Sequence, residues 1–479
     1  MTKRFLILLC IIIPTILTAQ IEKWDLQRAV DYAMQNNISV KQSDVQARIA
    51  ALQTKLARAA SIPNLNLNTS AGFQFGRTID PTTNLYVNQN TFFQSYSLQT
   101  NVTLFNFFNL QNQKKAALAN EEANHLDVDR ARNDVGLNVV AAYLQLLLSI
   151  EQMNIAQVQI HLTDSQRVIT QKQVNVGAMP PLNVAQLESQ LALDSSNYIT
   201  AVSTMESNKL QMIALLNLDA SQPFEVSLPD VNKIPLPPLS ELEPTELFEI
   251  AKGAQPLQQV DSLRIIAGKY NVKAAKGAMY PTLSASASLS TNYSSNFREF
   301  TGSVPQIVNN NIGSVNVDGK DYPVYRQDTI NIPKYQKAPY FKQVGDVNFG
   351  QFIGVQLNVP IFNGRQARTS YERAKLNLES YKLQLALDNQ TLQQNIFTAR
   401  ANAEASIQKY SANRKAANYA QYAYELSKKR YEIGMLSTSE YLIVQNNLET
   451  AKINEASSFY DYIFRIKLLE YYKFGKVQL

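Results

Sequence analysis

The feature that most constrains this 479-residue chain is an internal repeat whose two copies keep one long spacing unchanged. Phe105 and Gly177 recur as Phe362 and Gly434, both 257 residues later, so the span between them is 72 residues in each copy. The stretch between an earlier shared proline and that phenylalanine grows instead from 42 to 81 residues. Because rigid elements keep their length while surface loops vary, the repeat predicts two equal rods and one enlarged loop.

The first 19 residues are predicted to be a signal peptide. Lys3 and Arg4 precede the apolar run Phe5–Leu17, and the residues up to Ala19 suit signal-peptidase cleavage. The one cysteine, Cys10, lies inside this run rather than after it, so we expect no lipid anchor, no disulfide and no thiolate metal site in the mature chain. No other stretch approaches 18 consecutive apolar residues, which predicts that any membrane crossing uses strands.

Charge and motif content argue against nucleic-acid binding and against catalysis. The formal net charge is +6 and no run of Lys or Arg marks a nucleic-acid surface. His125 and His161 are 36 residues apart on one predicted helix, too far to share a site, and each is interpreted as a solvated helix residue. Nucleotide-binding glycine loops and common hydrolase motifs are missing from the sequence. We therefore expect no enzyme activity, no cofactor and no metal site.

Four stretches alternate between apolar and uncharged polar residues with the period of two that is typical of β-strands. They cover Leu65–Phe75, Tyr96–Leu104, Leu283–Ser290 and Ile353–Ile361. A strand of a soluble sandwich can show this pattern as well as a transmembrane barrel strand, but a length of roughly 10 to 13 residues favours a tilted membrane span.

Four strands cannot close a barrel, and open sheet edges do not occur in lipid. Strands that cross a membrane must therefore be pooled, giving 8 strands from two chains, 12 from three or 16 from four. Because 8 strands enclose a lumen that side chains already fill, an open channel favours the trimer.

Long helices follow the strands in both copies. Asn109–Val176 and Asn363–Ile433 contain no proline and show coiled-coil spacing of apolar and small residues, and about 70 residues at 1.5 Å each make rods of roughly 100 Å. Further helices are predicted at Asp25–Ala60, Pro181–Leu218, Thr245–Ala278 and Thr438–Phe474. The predicted organisation is repeat 1 over 20–218, a linker over 219–244 that packs as a collar around the helices, and repeat 2 over 245–479. Repeat 2 contains a long extracellular loop over 293–346, predicted to be mobile or plugging.

Several short motifs occur in a fixed order within this duplication: Ala33…Asn37-Ile38, Ala251…Gln255-Pro256, Val359-Pro360-Ile361-Phe362-Asn363-Gly364 and Tyr431-Glu432-Ile433-Gly434. Together they resemble the outer membrane efflux family, the TolC-like channels of Gram-negative tripartite efflux and type I secretion systems. The resemblance covers the whole mature chain, and the Thr18-Ala19-Gln20 region with frequent Asn, Gln and Tyr resembles members from Bacteroidetes.

The resemblance implies an α+β membrane protein in the outer membrane. Four transmembrane strands per chain would contribute to a 12-strand trimeric barrel, and long coiled-coil helices would form a periplasmic tunnel. It implies a passive exit duct for solutes, gated at its periplasmic tip by an adaptor protein and an inner-membrane pump of RND, ABC or MFS type. The sequence does not name the cargo.

Two other functions stay open at this point. One is a membrane-anchored structural or adhesive coiled-coil protein without transport, for which an internal duplication is not expected. The other is a periplasmic glycan-processing enzyme, for which the sequence offers no convergent pair of acids.

The two turns between long helices carry the candidate functional residues. Local chemistry predicts that Gly177 and Gly434 end helices, that Pro181 begins one, and that Ser437 and Glu440 form a capping box. The resemblance further implies that the adaptor docks on these turns, through Val176, Gly177, Ala178, Ile433, Gly434 and Met435.

The resemblance also implies a pore constriction and a gate latch near the second turn. Glu440 matches the first position of an acidic ring, competing with its capping role, and Ile443 stands where the second acid is expected. Tyr431 matches a latch tyrosine, while Asn183 and Leu436 stand where its charged partners are expected. A hydrogen bond between Tyr431 and Asn183 is one uncharged contact that could replace the charged latch. The alternative is that both side chains simply face solvent.

Overall fold

The computed structural model describes residues 23–79, 84–227 and 243–476. The predicted signal peptide and most of the predicted linker, residues 228–242, lie outside this range. The described start of the linker packs against the helices: Phe224 is buried, Val226 forms a parallel bridge with Trp24, and the Tyr143 hydroxyl donates to the Ser227 carbonyl at 2.7 Å.

Helices of matching length occupy matching places in the two halves of the chain. The first half contains α1 (Leu26–Asn36), α2 (Ile38–Ala59), α3 (Asn109–Asn175) and α4 (Pro181–Leu216); the second contains α5 (Pro244–Ala254), α6 (Pro256–Gly277), the single turn α7 (Tyr340–Lys342), α8 (Gln366–Glu432) and α9 (Thr438–Phe474). Helices α3 and α8 both have 67 residues, α1 and α5 have 11, and α2 and α6 have 22. The predicted duplication and the two equal rods are confirmed.

The two helices predicted before the strands are each broken once. Asn37 separates α1 from α2: its side-chain oxygen accepts from the Ser39 N–H at 2.9 Å and its amide donates to the Leu215 carbonyl at 2.8 Å. Gln255 separates α5 from α6 before Pro256, and its amide donates to the Tyr471 carbonyl at 3.3 Å. At both breaks a buried amide side chain holds the end of a later helix. At Gln255 the following Pro256 adds a second reason, since proline disfavours a helical residue before it.

The strands are β1 (Asn64–Gln74), β2 (Arg77–Ile79), β3 (Tyr86–Asn88), β4 (Thr91–Phe105), β5 (Thr282–Ser294), β6 (Arg298–Val317), β7 (Lys320–Lys337) and β8 (Gly350–Asn358). Four of them form one antiparallel sheet in the order β1-β4-β5-β8. These are the four predicted strands, although the last ends at Asn358 rather than at Ile361, since Pro360 has no N–H for a ladder.

The register of this sheet sorts its side chains onto two faces. The apolar face carries Leu65, Leu67, Phe73, Leu98, Val102, Ala285, Leu289, Ile353, Val355 and Leu357. The opposite face is polar and uncharged apart from Phe93 and Phe352, and it carries Asn64, Asn66, Asn68, Gln99, Asn101, Ser284, Ser286, Ser288, Gln356 and Asn358. The apolar face is open, with Ile353 86% exposed, and β1 and β8 are each paired on one side only. This combination is the signature of barrel strands that face lipid outside and water inside.

The segment predicted as a long loop over 293–346 contains regular structure, and its mobile or plugging role stays a prediction. Strands β6 and β7 form a two-stranded ribbon within it, joined by the two residues Asp318 and Gly319, both with positive φ. Asp-Gly between alternating strands is a strong hairpin signal, and the prediction overlooked it because the segment was interpreted from its composition.

The chain divides into two compact units. The helical unit takes its described residues from Met1–Gln53, Ala116–Lys269 and Leu376–Leu479, and the strand unit from Thr54–Lys115 and Tyr270–Lys375. The main core of the helical unit joins α1, α3 and α4 through buried apolar residues, among them Val30, Val139, Tyr143, Leu147 and Leu216.

The composition of α3 bears on the prediction that any membrane crossing uses strands. Among the described residues it is the one helix that is long and apolar enough to cross a membrane, with a window of mean hydropathy 1.3. Leu, Val and Ala are frequent in that window, although polar residues interrupt them and it contains no 18 consecutive apolar residues. Half of that window is buried inside the protein, as in the core helix of a folded unit, so its composition is weak evidence for a span.

Candidate functional site: the helix turns

The two helix turns have the same backbone geometry. After α3, the Gly177 N–H donates to the Val174 carbonyl at 2.9 Å and the Ala178 N–H to the Gln173 carbonyl at 2.8 Å. After α8, the N–H groups of Gly434 and Met435 repeat this pattern at 3.0 and 2.8 Å. Both glycines have φ of 77°, so each turn is a Schellman motif whose left-handed residue favours glycine. The predicted helix-ending role of both glycines is confirmed, as is Pro181 at the first position of α4.

Apolar side chains next to these glycines face outward. Val176 is 80% exposed, Ile433 69% and Met435 67%, and Ala178 is also exposed. Clustered exposed apolar residues at a helix turn are a frequent feature of surfaces that bind another protein. Their role in adaptor docking remains a prediction.

Glu440 acts as a helix cap in this chain. Its carboxylate accepts from the Ser437 hydroxyl at 2.7 Å and the Ser437 N–H at 3.0 Å, while the Ser437 oxygen accepts from the Glu440 N–H at 3.3 Å. The predicted capping box is thus present, and the hydroxyl and backbone hydrogen bonds from Ser437 lower the pKa of Glu440. Ile443, one turn further along α9, is exposed. A ring of Glu440 carboxylates remains a prediction.

Tyr431 is buried, with 1% of its surface exposed, so the alternative that it faces solvent is wrong. Its hydroxyl hydrogen-bonds with Thr170 of α3 at 3.2 Å and with Thr438 of α9 at 3.0 Å. The hydrogen bond considered between Tyr431 and Asn183 is not formed in the chain, because the two threonines enclose the hydroxyl from neighbouring helices. Tyr431 therefore ties three helices together near the turn through neutral contacts.

Two further tyrosines complete this cluster, and neither was predicted from the sequence. The rings of Tyr431 and Tyr441 stack with centroids 4.8 Å apart, and the hydroxyls of Tyr424 and Tyr441 lie 3.1 Å apart. Burial, followed by the hydrogen bond with Tyr424, raises the pKa of Tyr441. The spacing of Tyr424 and Tyr431, two helical turns on one face of α8, was the available signal.

A buried polar contact joins α3, α4 and α9 further from the turn. Asp194 is 1% exposed, and its two oxygens accept from the Thr163 hydroxyl at 2.6 Å and the Gln190 amide at 2.7 Å. Gln445 in turn donates to Thr163 at 2.9 Å. Polar contacts inside a helical bundle fix which helices pair and in which register.

Comparisons with known proteins agree with this arrangement. The profile of the outer membrane efflux protein family matches residues 29–218 and 348–463. The chain belongs to this family. It is 23% identical to the outer membrane efflux protein BepC of Brucella suis biovar 1 (strain 1330) over 453 residues, covering 92% of this chain and 83% of BepC.

Solved structures of outer membrane proteins share the fold of this outer membrane efflux protein. The Campylobacter jejuni CmeC outer membrane channel matches with a TM-score of 0.71 and 18% identity, over 95% of this chain and 86% of CmeC. The outer membrane protein VceC of Vibrio cholerae matches with a TM-score of 0.70 and 14% identity, over 94% of this chain and 96% of VceC. The family resemblance, the α+β fold, the outer membrane location and the efflux role are thereby confirmed.

Proposed function

We propose that three copies of this chain assemble into one passive exit duct, closed at the helix turns until a periplasmic partner engages them. The observation that carries the proposal is the four-stranded sheet with one apolar face, one uncharged polar face and two unpaired edges. Such edges are incompatible with lipid unless another chain pairs with them, and three chains supply 12 strands, enough for a water-filled lumen.

The tyrosine cluster is the proposed latch of the closed state. Thr170, Tyr431 and Thr438 connect α3, α8 and α9 by neutral hydrogen bonds. The positions at which the family resemblance implies charged partners hold the uncharged Asn183 and Leu436. An uncharged, buried latch is less sensitive to salt and pH than an ion pair, so opening is expected to require a partner rather than a change of solution.

The exposed turns are the proposed docking surface for that partner. Val176, Ile433 and Met435 offer apolar contacts beside glycines whose backbone is accessible, since a Cβ on either glycine would meet no atom within 4 Å. The partner is a periplasmic adaptor coupled to an inner-membrane pump of RND, ABC or MFS type, which supplies the energy. In this proposal the duct itself performs no catalysis.

Conductance in planar lipid bilayers tests the duct and its latch. Tyr431→Phe keeps the stacked ring and removes the hydroxyl that links α3 to α9, so we expect a larger or more frequently open conductance than in the natural protein. Tyr419→Phe is the matched control, because Tyr419 lies on the same helix but is exposed and should leave conductance unchanged.

Two results would contradict the proposal. A well-folded protein that never conducts in a bilayer would favour an adhesive or structural role. A conducting Tyr431→Phe variant that matches Tyr419→Phe would retain the duct but reject the latch.

A further inference from the structure

The ribbon formed by β6 and β7 has a face that the described part of the chain leaves largely exposed. Its strands have 20 and 18 residues and pair only with each other, which at 3.3 Å per residue gives a length of about 60 Å. A two-stranded ribbon alone is marginally stable in water, and lasting stability requires that an apolar face be covered. The length of this ribbon therefore calls for a partner surface.

The register places apolar residues mainly on one side of the ribbon. All five of its valines lie on that side together with Tyr322, Ile330 and Ile332, and we name this set the valine face: Val304, Val308, Val315, Val317, Val324, Tyr322, Ile330 and Ile332. The pairs Val304–Ile332 and Val315–Tyr322 show the arrangement directly, and most members of the face are exposed.

The opposite side is mostly polar. It carries Ser303, Asn309, Ser314, Asn316, Thr329, Asn331 and Gln327. Its exposed apolar residues are Ile307 and Tyr325, with Phe300 and Tyr335 at the end where the ribbon leaves β5. This asymmetry predicts that one side packs against protein while the other faces water.

The edges of the ribbon are unsuited to adding another strand. Pro305, Pro323 and Pro333 remove backbone N–H groups from both strands, and prolines at a sheet edge block further pairing. Association is therefore expected through the valine face.

The charges on the valine face are compatible with burial. Arg326 donates to Asp328 at 2.7 and 3.0 Å, and Asn310 donates to the same carboxylate at 2.8 Å. Lys320 and Lys334 stand at the two ends of the face, where their ammonium groups can reach water.

We propose that the valine face packs against the same ribbon of the other two copies, so that three ribbons share a core on the threefold axis. The proposal rests on the trimer of the proposed function. The ribbon leaves β5 and returns before β8, an edge strand that must pair with the next copy in a closed barrel. The ribbon is therefore joined to the strand that contacts the next copy, and threefold symmetry would place three such ribbons equivalently around one axis.

Disulfide trapping in the purified full-length protein tests this packing. In a Cys10→Ser background, which has no other cysteine, Val304→Cys and Val315→Cys should form inter-chain disulfides under mild oxidation. Their chain neighbours Ser303→Cys and Ser314→Cys lie on the opposite side and should cross-link at least fivefold less. Particle mass by light scattering in detergent reports the oligomeric state of each variant.

The outcomes separate the two proposals. A trimer in which the valine positions cross-link no more than the serine positions would overturn the shared core and leave the duct intact, whether the ribbon then binds its own barrel or another protein. A monomeric particle would overturn the trimer and the shared core with it.

Charge insertion gives a second readout that does not depend on cysteine chemistry. Val315→Asp should lower the temperature at which the trimer dissociates, because a carboxylate would be buried in the common core, whereas Ser314→Asp should not. Equal dissociation temperatures for the two variants would contradict the shared core.

Discussion

For single residues, roles that depend on nearby positions could be predicted from the sequence, whereas roles that depend on distant contacts could not. Gly177, Gly434 and the Ser437–Glu440 pair were predictable because their roles depend on neighbours within a few positions. The contact of Tyr431 with Thr170 was not predictable, since the two residues are 261 positions apart and only folding brings their hydroxyls together. A buried polar network of this kind has no signature in one sequence.

Asp261 is a second residue whose behaviour depends on distant neighbours. It is 3% exposed on α6, faces Asp388 of α8, and lies 3.9 Å from Arg264, which is itself engaged with Asp127 of α3. Burial, followed by the hydrogen bond and charge of Asp388, raises the pKa of Asp261 to about 6.

This raised pKa predicts a pH-dependent stability. The folded protein binds the Asp261 proton more tightly than the unfolded chain, so stability from this group is complete below about pH 4 and is lost as pH rises to about 6. The ionisation of Asp261 lowers the free energy of unfolding by at most about 3 kcal/mol, and Asp261→Asn should abolish this decrease. The variant should therefore have a higher unfolding temperature than the natural protein at pH 7.5 but not at pH 4. Thermal unfolding at both values checks this.

A control separates the pH effect from a general effect of removing a carboxylate. Asp44→Asn changes an exposed acid on α2, the counterpart of α6 in the first half, and should have no pH-dependent effect. The interpretation fails if Asp261→Asn is less stable than the natural protein at pH 7.5.

At the scale of elements, propensity and periodicity predicted which segments are helices and strands but missed their interruptions. The four sheet strands and the two 67-residue helices follow directly from alternation and from the absence of proline. The breaks at Asn37 and Gln255 depend on carbonyls of later helices, and such tertiary partners override local helix propensity. The ribbon was missed although its Asp318-Gly319 turn is local.

The break at Asn37 can be tested by truncating its side chain. Asn37→Ala removes the cap of the Ser39 N–H and leaves the buried Leu215 carbonyl without its donor, which should cost about 1–2 kcal/mol. Asn36→Ala is the control, because Asn36 donates only to the Tyr32 carbonyl of its own helix. Thermal unfolding should show a larger loss for Asn37→Ala; an equal loss would mean that the contact between helices contributes nothing.

At the scale of the whole molecule, function depends on surfaces that one chain leaves incomplete. The apolar sheet face and the unpaired edges of β1 and β8 each require a neighbour, and the proposed packing of the valine face would supply one more contact between copies. In the proposed trimer, residues at the helix turns would act on ions and partners together, because three copies would place them around one axis.

Glu440 allows the pore role to be separated from the capping role. Glutamine retains the reciprocal hydrogen bond of a capping box, so Glu440→Gln should remove the charge and keep thermal stability. Glu440→Ala should lose the charge and also lower the unfolding temperature, because the Ser437 N–H loses its acceptor. If three carboxylates line the constriction, both variants should show weaker cation preference. Reversal potentials across a salt gradient measure it, and unchanged selectivity in Glu440→Gln would restrict the residue to capping.

The duplication, the four amphipathic strands, the long helices and the chemistry of each turn follow from the amino-acid sequence alone, because periodicity, proline placement and capping act over a few residues. The helix breaks, the burial of Tyr431 and its contact with Thr170, the environment of Asp261 and the side of the ribbon on which its valines gather became visible only in the folded protein. Those features depend on strand register and on helices hundreds of residues apart in the chain, whose contacts exist only after folding has brought them together.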